Sequence, residues 1–275
     1  MKHSIRAIGA AALFAAGGLV AVVAANPAHA DKTCNPFALK EVGTYLVQNN
    51  FWNPPKNPGD QCIDITDNGF KITAQPNSQP TNGPPLSYPS IYLGCHYTHC
   101  SPGTILPRKV KLISSASSSV NYTYVSNATF DASYDIWLDS REKPDPTKPL
   151  ETEIMIWLKA QGSIQPISSP PHMSIGTKNI AGHDWQVWLG PNPPTKNVIS
   201  YVAPVGIPGI GFEVMDFVRD VRDRLMIIKD DHYLHSIQAG FEPWKGGVGL
   251  AVNSFRAVVT PKSGLEPAFP PRPSR

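Results

Sequence analysis

The chain has 275 residues, 41% of them hydrophobic and only 16% charged, with a formal net charge of +3. That much apolar content at so low a charge can build a core, which argues against disorder, and the length suits one large all-β domain. A nearly neutral chain also lacks the basic face that electrostatic nucleic-acid binding needs, so that partner class is excluded.

The N-terminus reads as a leader. Lys2, His3 and Arg6 precede an alanine-rich apolar run from Ile8 to Ala25. Pro27 then breaks the run, and Ala28-His29-Ala30 is a small-x-small cleavage site. These are the parts of a secretory signal. A membrane anchor is the competing reading, because the run is nearly long enough to span. The cleavage site and the scarcity of leucine favour the signal. Residues 1–30 are therefore expected to be removed, 31–260 to form the domain, and 261–275 to be a proline-rich tail. The mature protein is expected outside the cell, unattached to membrane and monomeric.

Export bears on the four cysteines, Cys34, Cys62, Cys95 and Cys100. Four can pair in three ways, and the spacing alone does not choose. Cys95-His96-Tyr97-Thr98-His99-Cys100 carries the ligand types of a zinc site. An oxidising compartment and so short a loop favour local disulfides over metal.

In chain order, strands are expected over Gly43–Asn50, Tyr88–Leu93, Val110–Ser114, Tyr122–Ser126 and Tyr134–Leu138. They continue over Glu153–Leu158, Asp184–Leu189, Val198–Val205, Tyr233–Phe241 and Leu250–Val259. Each is a β-branched or aromatic run bounded by Pro, Gly, Asn or Ser, and many short strands mean a sandwich or barrel. Between Phe212 and Ile227, Val214, Phe217, Val218, Val221 and Leu225 step at three and four, as in an amphipathic helix laid on a sheet.

Strand parity locates the chemistry. Side chains alternate along a strand, so Glu153, Met155 and Trp157 share one face while Ile154, Ile156 and Leu158 take the other. Asp135 and Trp137 repeat this arrangement. A strand next to the first would bring Asp135 toward Glu153, and two close carboxyls would then share a proton. Glu242 lies between Phe241 and Pro243, two residues from Trp244. Apolar surroundings raise a carboxyl's pKa, as a general acid requires. A solvent-facing Glu at a strand end is the plainer reading of the same residues. Trp52, Tyr88, Tyr92, Trp137, Trp157 and Trp244 add aromatic surface of the kind on which sugar rings stack. Together with the carboxyls they point to a polysaccharide.

Four stretches resemble glycoside hydrolase family 12, the compact endo-β-1,4-glucanases. They are Val47-Gln48-Asn49-Asn50-Phe51-Trp52-Asn53, Tyr88-Pro89-Ser90-Ile91-Tyr92 running into Gly94-Cys95-His96-Tyr97, Glu153-Ile154-Met155-Ile156-Trp157, and Gly240-Phe241-Glu242-Pro243-Trp244 running through Phe255. The resemblance implies an all-β jelly roll of two curved antiparallel sheets with one helix on the convex side. By motif position it implies Glu153 as nucleophile, Glu242 as acid/base and Asp135 as hydrogen-bond partner of the nucleophile. Asn50, Trp52, His96, Met155 and Trp157 would bind or line the glucan chain. It further implies Cys34–Cys62 and Cys95–Cys100 disulfides, retention of anomeric configuration, and no metal or cofactor. Lys245-Gly246-Gly247 departs from the bacterial pattern, and prolines at Pro54-Pro55 and Pro170-Pro171 alter the rim. A xyloglucan-specific hydrolase or transglycosylase would use the same glutamates. A non-catalytic carbohydrate-binding protein would leave their apolar settings unexplained.

Overall fold

The structure is a computed structural model that describes residues 31–192 and 195–263. The expected leader, and the expected tail beyond residue 263, lie outside the described residues. Two sheets form the body. The smaller has six strands in the order Asp31–Thr33, Cys62–Thr66, Gly69–Ala74, Ala251–Pro261, Ile113–Thr123 and Gly209–Glu213. The larger has eleven. Its main path runs Gly176–Ile180, His183–Asn192, Thr195–Val202, Thr152–Gln161, Thr129–Asp139, Tyr233–Lys245, Ser90–His96, Tyr45–Gln48 and Leu39–Val42. The short strands His99–Cys100 and Arg108–Lys109 pair beside it.

This is the expected jelly-roll sandwich with one local difference. Thr152–Gln161 pairs with Thr195–Val202 in parallel, placing Glu153 beside Val198 and Trp157 beside Val202. The Gly176–Ile180 and His183–Asn192 hairpin lies between them in sequence, and it supplies the length that a parallel return requires.

Parity divides each central strand as the sequence predicts. Phe130, Ala132, Tyr134, Ile136 and Leu138 enter the core, as do Ile154, Ile156 and Leu158, and Ile237, Ala239 and Phe241. The smaller sheet meets them with Ile63, Phe70, Ile72, Val120, Tyr122 and Phe255. Phe241 sits at the junction, with ring centroids 5.0 Å from Tyr122, 6.0 Å from Phe130 and 6.3 Å from Phe70. Burying each such side chain stabilises the fold by about 1.5–3 kcal/mol. The opposite face of the larger sheet is free to carry polar chemistry.

The helix is shorter than the periodicity predicts. Phe212 belongs to the Gly209–Glu213 strand, and the α-helix spans Val214–Arg219. Glu213 starts it, because its carboxylate accepts from the Met215 N–H at 3.2 Å and so satisfies a donor left open at the helix end. The same carboxylate accepts from the Ala116 N–H at 2.6 Å and so ties the helix to a strand. From Asp220 to Arg224 the turns widen to a π-type helix. The buried Asp220 is held there by Tyr201 Oη at 2.7 Å and by two Arg224 nitrogens. Phe217 packs on Tyr201, Phe212 and Trp185, all core-facing rings.

Both disulfides are the expected local ones, Cys34–Cys62 and Cys95–Cys100. The Cys95–Cys100 pairing uses both thiols of the one cluster that had ligand types for zinc.

Candidate active site

Three adjacent strands of the larger sheet build the site. Thr129–Asp139 lies in the middle, with Thr152–Gln161 on one side and Tyr233–Lys245 on the other. On the face away from the core, Glu153 stands directly opposite Trp137, and Met155 opposite Asp135. Across the other seam Asp135 pairs with Gln238, and Asp131 pairs with Glu242. Strand parity and register thus bring four carboxyls to one surface. Glu153 and Asp135, which sequence placed near each other conditionally, do come together. Asp131 was not singled out.

The four carboxyls form two pairs. Glu153 is only 7% exposed. Burial pushes its pKa well above the usual carboxylate range, the charges of Asp135 and Glu242 add to this, and it hydrogen-bonds to Asp135. Burial likewise raises Asp135, to about 7, against the opposing effect of hydrogen bonds from Ser133 and Tyr88 and with Glu153. The Ser133 Oγ–Asp135 Oδ1 distance is 3.3 Å. Tyr88 is buried, and its one hydroxyl proton has two acceptors in reach, Asp135 and the Ser133 carbonyl at 3.2 Å.

The second pair is Glu242 and Asp131. Asp131 has no exposed surface, and burial raises its pKa well above the usual carboxylate range against the opposing effect of hydrogen bonds with Glu242 and Ser133. Its carboxyl partner is Glu242, which burial and the neighbouring Asp131 and Asp135 charges hold well above its ordinary pKa. A hydrogen bond between two carboxyls requires a proton on one of them. Each pair therefore keeps a proton where isolated carboxyls would have lost theirs, and the protons belong to the pairs rather than to single residues.

Histidine and amide groups extend the site across the Ser90–His96 strand. Gln238 Nε2 lies 2.9 Å from His96 Nδ1 and 3.0 Å from Ser236 Oγ. Burial lowers the His96 pKa to about 4, with His99 adding to the shift. The ring is thus neutral at pH 7. Gln238 donates to Nδ1, and the ring proton sits on Nε2. Tyr97, at φ 50° and half exposed, packs edge-on to His96 with centroids 4.7 Å apart. Its hydroxyl is near enough to Glu153 to be raised by that charge, after burial.

The aromatic surface is smaller than the sequence suggests. Trp52 is 43% exposed and projects from a loop. Asn50, on the same loop, accepts the Tyr88 N–H at 2.8 Å through its carbonyl. Tyr88, Tyr92 and Trp244 are buried, and Trp244 donates its indole N–H to the Gly83 carbonyl at 2.8 Å. Met155 and Trp157 are also buried. They join Val198, Val202 and Trp244 in an apolar layer on the site's side of the sheet, closed over by Ile164 and Trp188. Beneath the Trp52 loop lies a polar network. Gln61 donates to Asn49 Oδ1 at 2.8 Å and accepts from Gln75 and Ser87. Asp131 had a usable sequence signal, because it shares parity with Asp135. It falls outside a strand begun at Tyr134, and the strand in fact starts at Thr129.

The profile of glycosyl hydrolase family 12 matches residues 43–260, which contain the whole of this site. The chain belongs to glycosyl hydrolase family 12. It is 46% identical over 157 residues to a protein of Mycobacterium tuberculosis named probable cellulase Cel12b, across 57% of this chain and 99% of that one. It is 28% identical over 247 residues to the inactive glycoside hydrolase XLP1 of Phytophthora nicotianae, across 88% of this chain and 98% of that one. Among solved structures, that of the endo-1,4-beta-glucanase CelB2, a cellulase, matches with a TM-score of 0.78 at 47% identity, covering 83% of this chain and 99% of that chain. Family 12 thus includes both active and inactive members, so the carboxyls of each chain have to be examined in their own right. Here Glu153, Glu242 and Asp135 lie on one face of the larger sheet.

Proposed function

We propose that this family 12 chain is an exported, endo-acting hydrolase of β-1,4-linked glucans that works by retaining double displacement, without metal or cofactor. The observation that carries the reading is the pair of glutamates flanking one strand, each coupled to its own aspartate on that strand. Glu242 is the acid/base. Its raised pKa keeps a proton available for the leaving glycosidic oxygen. Glu153 is the nucleophile. It shares a proton with Asp135, and when that proton sits on Asp135 the Glu153 carboxylate is free to attack the anomeric carbon.

Attack expels the leaving sugar, which takes the proton of Glu242, and forms a glycosyl ester on Glu153. Glu242, now ionised, removes a proton from water as the water attacks the same carbon, and the ester breaks. Retaining pairs stand about 5–5.5 Å apart, and the effect of the Glu242 charge on Glu153 is in keeping with such closeness. Trp52 offers an exposed indole for a sugar face, and Asn50 and His96 offer polar groups for hydroxyls. Met155 and Trp157 support the floor beside the nucleophile. The expected leader and the two disulfides support export.

The test is viscometry on a soluble mixed-linkage β-glucan with residues 31–275 and with Glu153→Gln. The wild type should lower the viscosity rapidly, and the variant should lose roughly three orders of magnitude or more in rate while still binding glucan. Proton NMR of the first products should show the β-anomer. Binding without cleavage by the wild type would instead make the chain a carbohydrate-binding protein.

A further inference from the structure

Beside Glu153 the groove has a side recess that the reaction does not use. Its inner walls are His96, Tyr97 and Trp137, and its outer wall is the segment Pro144–Leu150. Trp137 faces Glu153 directly across the strand pair, so the recess opens next to the reacting sugar. It measures about 20 Å³ on the scale where one water needs ~10–15 Å³. That is room for a hydroxyl or hydroxymethyl group and not for another sugar ring.

The outer wall is anchored on either side and braced by one turn within it. Asp139, fully buried, accepts Arg141 Nε at 2.8 Å and Nη2 at 2.9 Å, and also accepts the Arg141 and Glu151 N–H groups. The Arg141 carbonyl accepts His235 Nε2–H at 2.9 Å. Asp145 closes a turn by accepting both Thr147 Oγ1 at 2.7 Å and the Thr147 N–H at 3.0 Å. Pro144, Pro146 and Pro149 remove further backbone freedom. Moving such a wall to admit a bulky group works against its end anchors, where the buried Asp139 carboxylate holds the half-exposed Arg141 through charge-assisted bonds.

Resting on the glucanase reading above, we infer that the Pro144–Leu150 wall is a specificity element. It admits an unsubstituted backbone glucose beside Glu153 and excludes one carrying a sugar branch on its hydroxymethyl oxygen. The substrate class is then unbranched β-1,4-glucan, mixed-linkage glucan included, in preference to xyloglucan, whose backbone bears xylosyl groups at that oxygen.

The experiment compares kcat/KM on mixed-linkage β-glucan and on xyloglucan for wild type and for two variants. One is Leu150→Ala. The other replaces residues 144–149 with a short Gly-Ser linker and keeps the Asp139 and Glu151 anchors. Wild type should prefer the unbranched polymer at least tenfold. Either variant that folds should narrow that ratio at least fivefold, with its rate on mixed-linkage glucan within threefold of wild type. Equal wild-type rates on both polymers would overturn the inference. So would an unchanged ratio in both variants while mixed-linkage activity is kept. Absence of wild-type activity on either polymer would overturn the glucanase reading itself, and that outcome differs from both of these.

Discussion

At the scale of single residues, the pairing of Asp131 with Glu242 sets Glu242 apart from an ordinary glutamate. Asp131 is wholly buried, so its ionisation is disfavoured, and the hydrogen bond with Glu242 is the largest effect that opposes this. Its charge in turn raises Glu242. Asp131→Asn keeps the shape and removes that charge, so Glu242 should release its proton at a lower pH. A fall on the order of one unit is expected, read from the side-chain carbon signal of labelled glutamates by NMR across pH 4–10. A Glu242 that titrates unchanged would show that the two carboxyls do not share a proton. Asp131 also shows where the sequence became hard to read. Its parity with Asp135 was available, but its burial and its partner come from a strand more than a hundred residues away. Glu153, Met155 and Trp157, by contrast, were placed on one face by alternation alone. Only the three-dimensional structure shows that Trp157 lies under Ile164 and Trp188 and not on an open surface.

At the scale of elements, the strands that sequence located are those whose β-branched and aromatic side chains are sufficient evidence on their own. Tyr134–Leu138 and Glu153–Leu158 are of this kind. Ile113–Thr123 is not. Five of its eleven residues are serines, which read as turn, and it is a strand because Ala251–Pro261 and Gly209–Glu213 pair with it on both sides. The short edge strands, such as Leu39–Val42, likewise owe their form to a neighbour. The helix shortened because Phe212 follows the sheet pattern and Glu213 caps the turn that follows. A close seam near the site is where Tyr233–Lys245 meets Ser90–His96. A Cβ on Gly240 would lie 2.3 Å from the Pro89 carbonyl oxygen and 3.1 Å from Ser90 Cα. Both contacts are to backbone, so no side chain can rotate away. Gly240→Ala should therefore cost about 1–3 kcal/mol and lower the melting temperature by several degrees. Because Glu242 is two residues further along the same strand, activity at a temperature well below melting should also fall. A variant with unchanged melting and rate would mean that the seam has slack.

At the scale of the whole molecule, the sandwich commits one face of its larger sheet to the core and uses the stability gained there to hold acids under apolar cover on the other. The cost depends on pH, and its sign follows from the direction of each shift. Asp131, Asp135, Glu153 and Glu242 all have folded pKa values raised by burial. Groups of this kind contribute stability that is fully present below their unfolded pKa, near 4, and is lost as pH rises through the folded value. For Asp135 that value is about 7. His96 acts in the opposite direction. Its folded pKa is lowered to about 4, so its contribution is present above about 6.5 and lost as pH falls toward 4. Stability should therefore peak between these limits and decline on the alkaline side because the buried carboxyls must ionise. Glu153→Gln removes one of those ionisations and leaves the amide able to hydrogen-bond Asp135. Thermal melts should show this variant several degrees more stable than wild type at pH 8, with the difference closing by pH 4. Equal melting temperatures at pH 8 would mean that the site's charges are screened by water and that the fold bears no cost for the acids it buries.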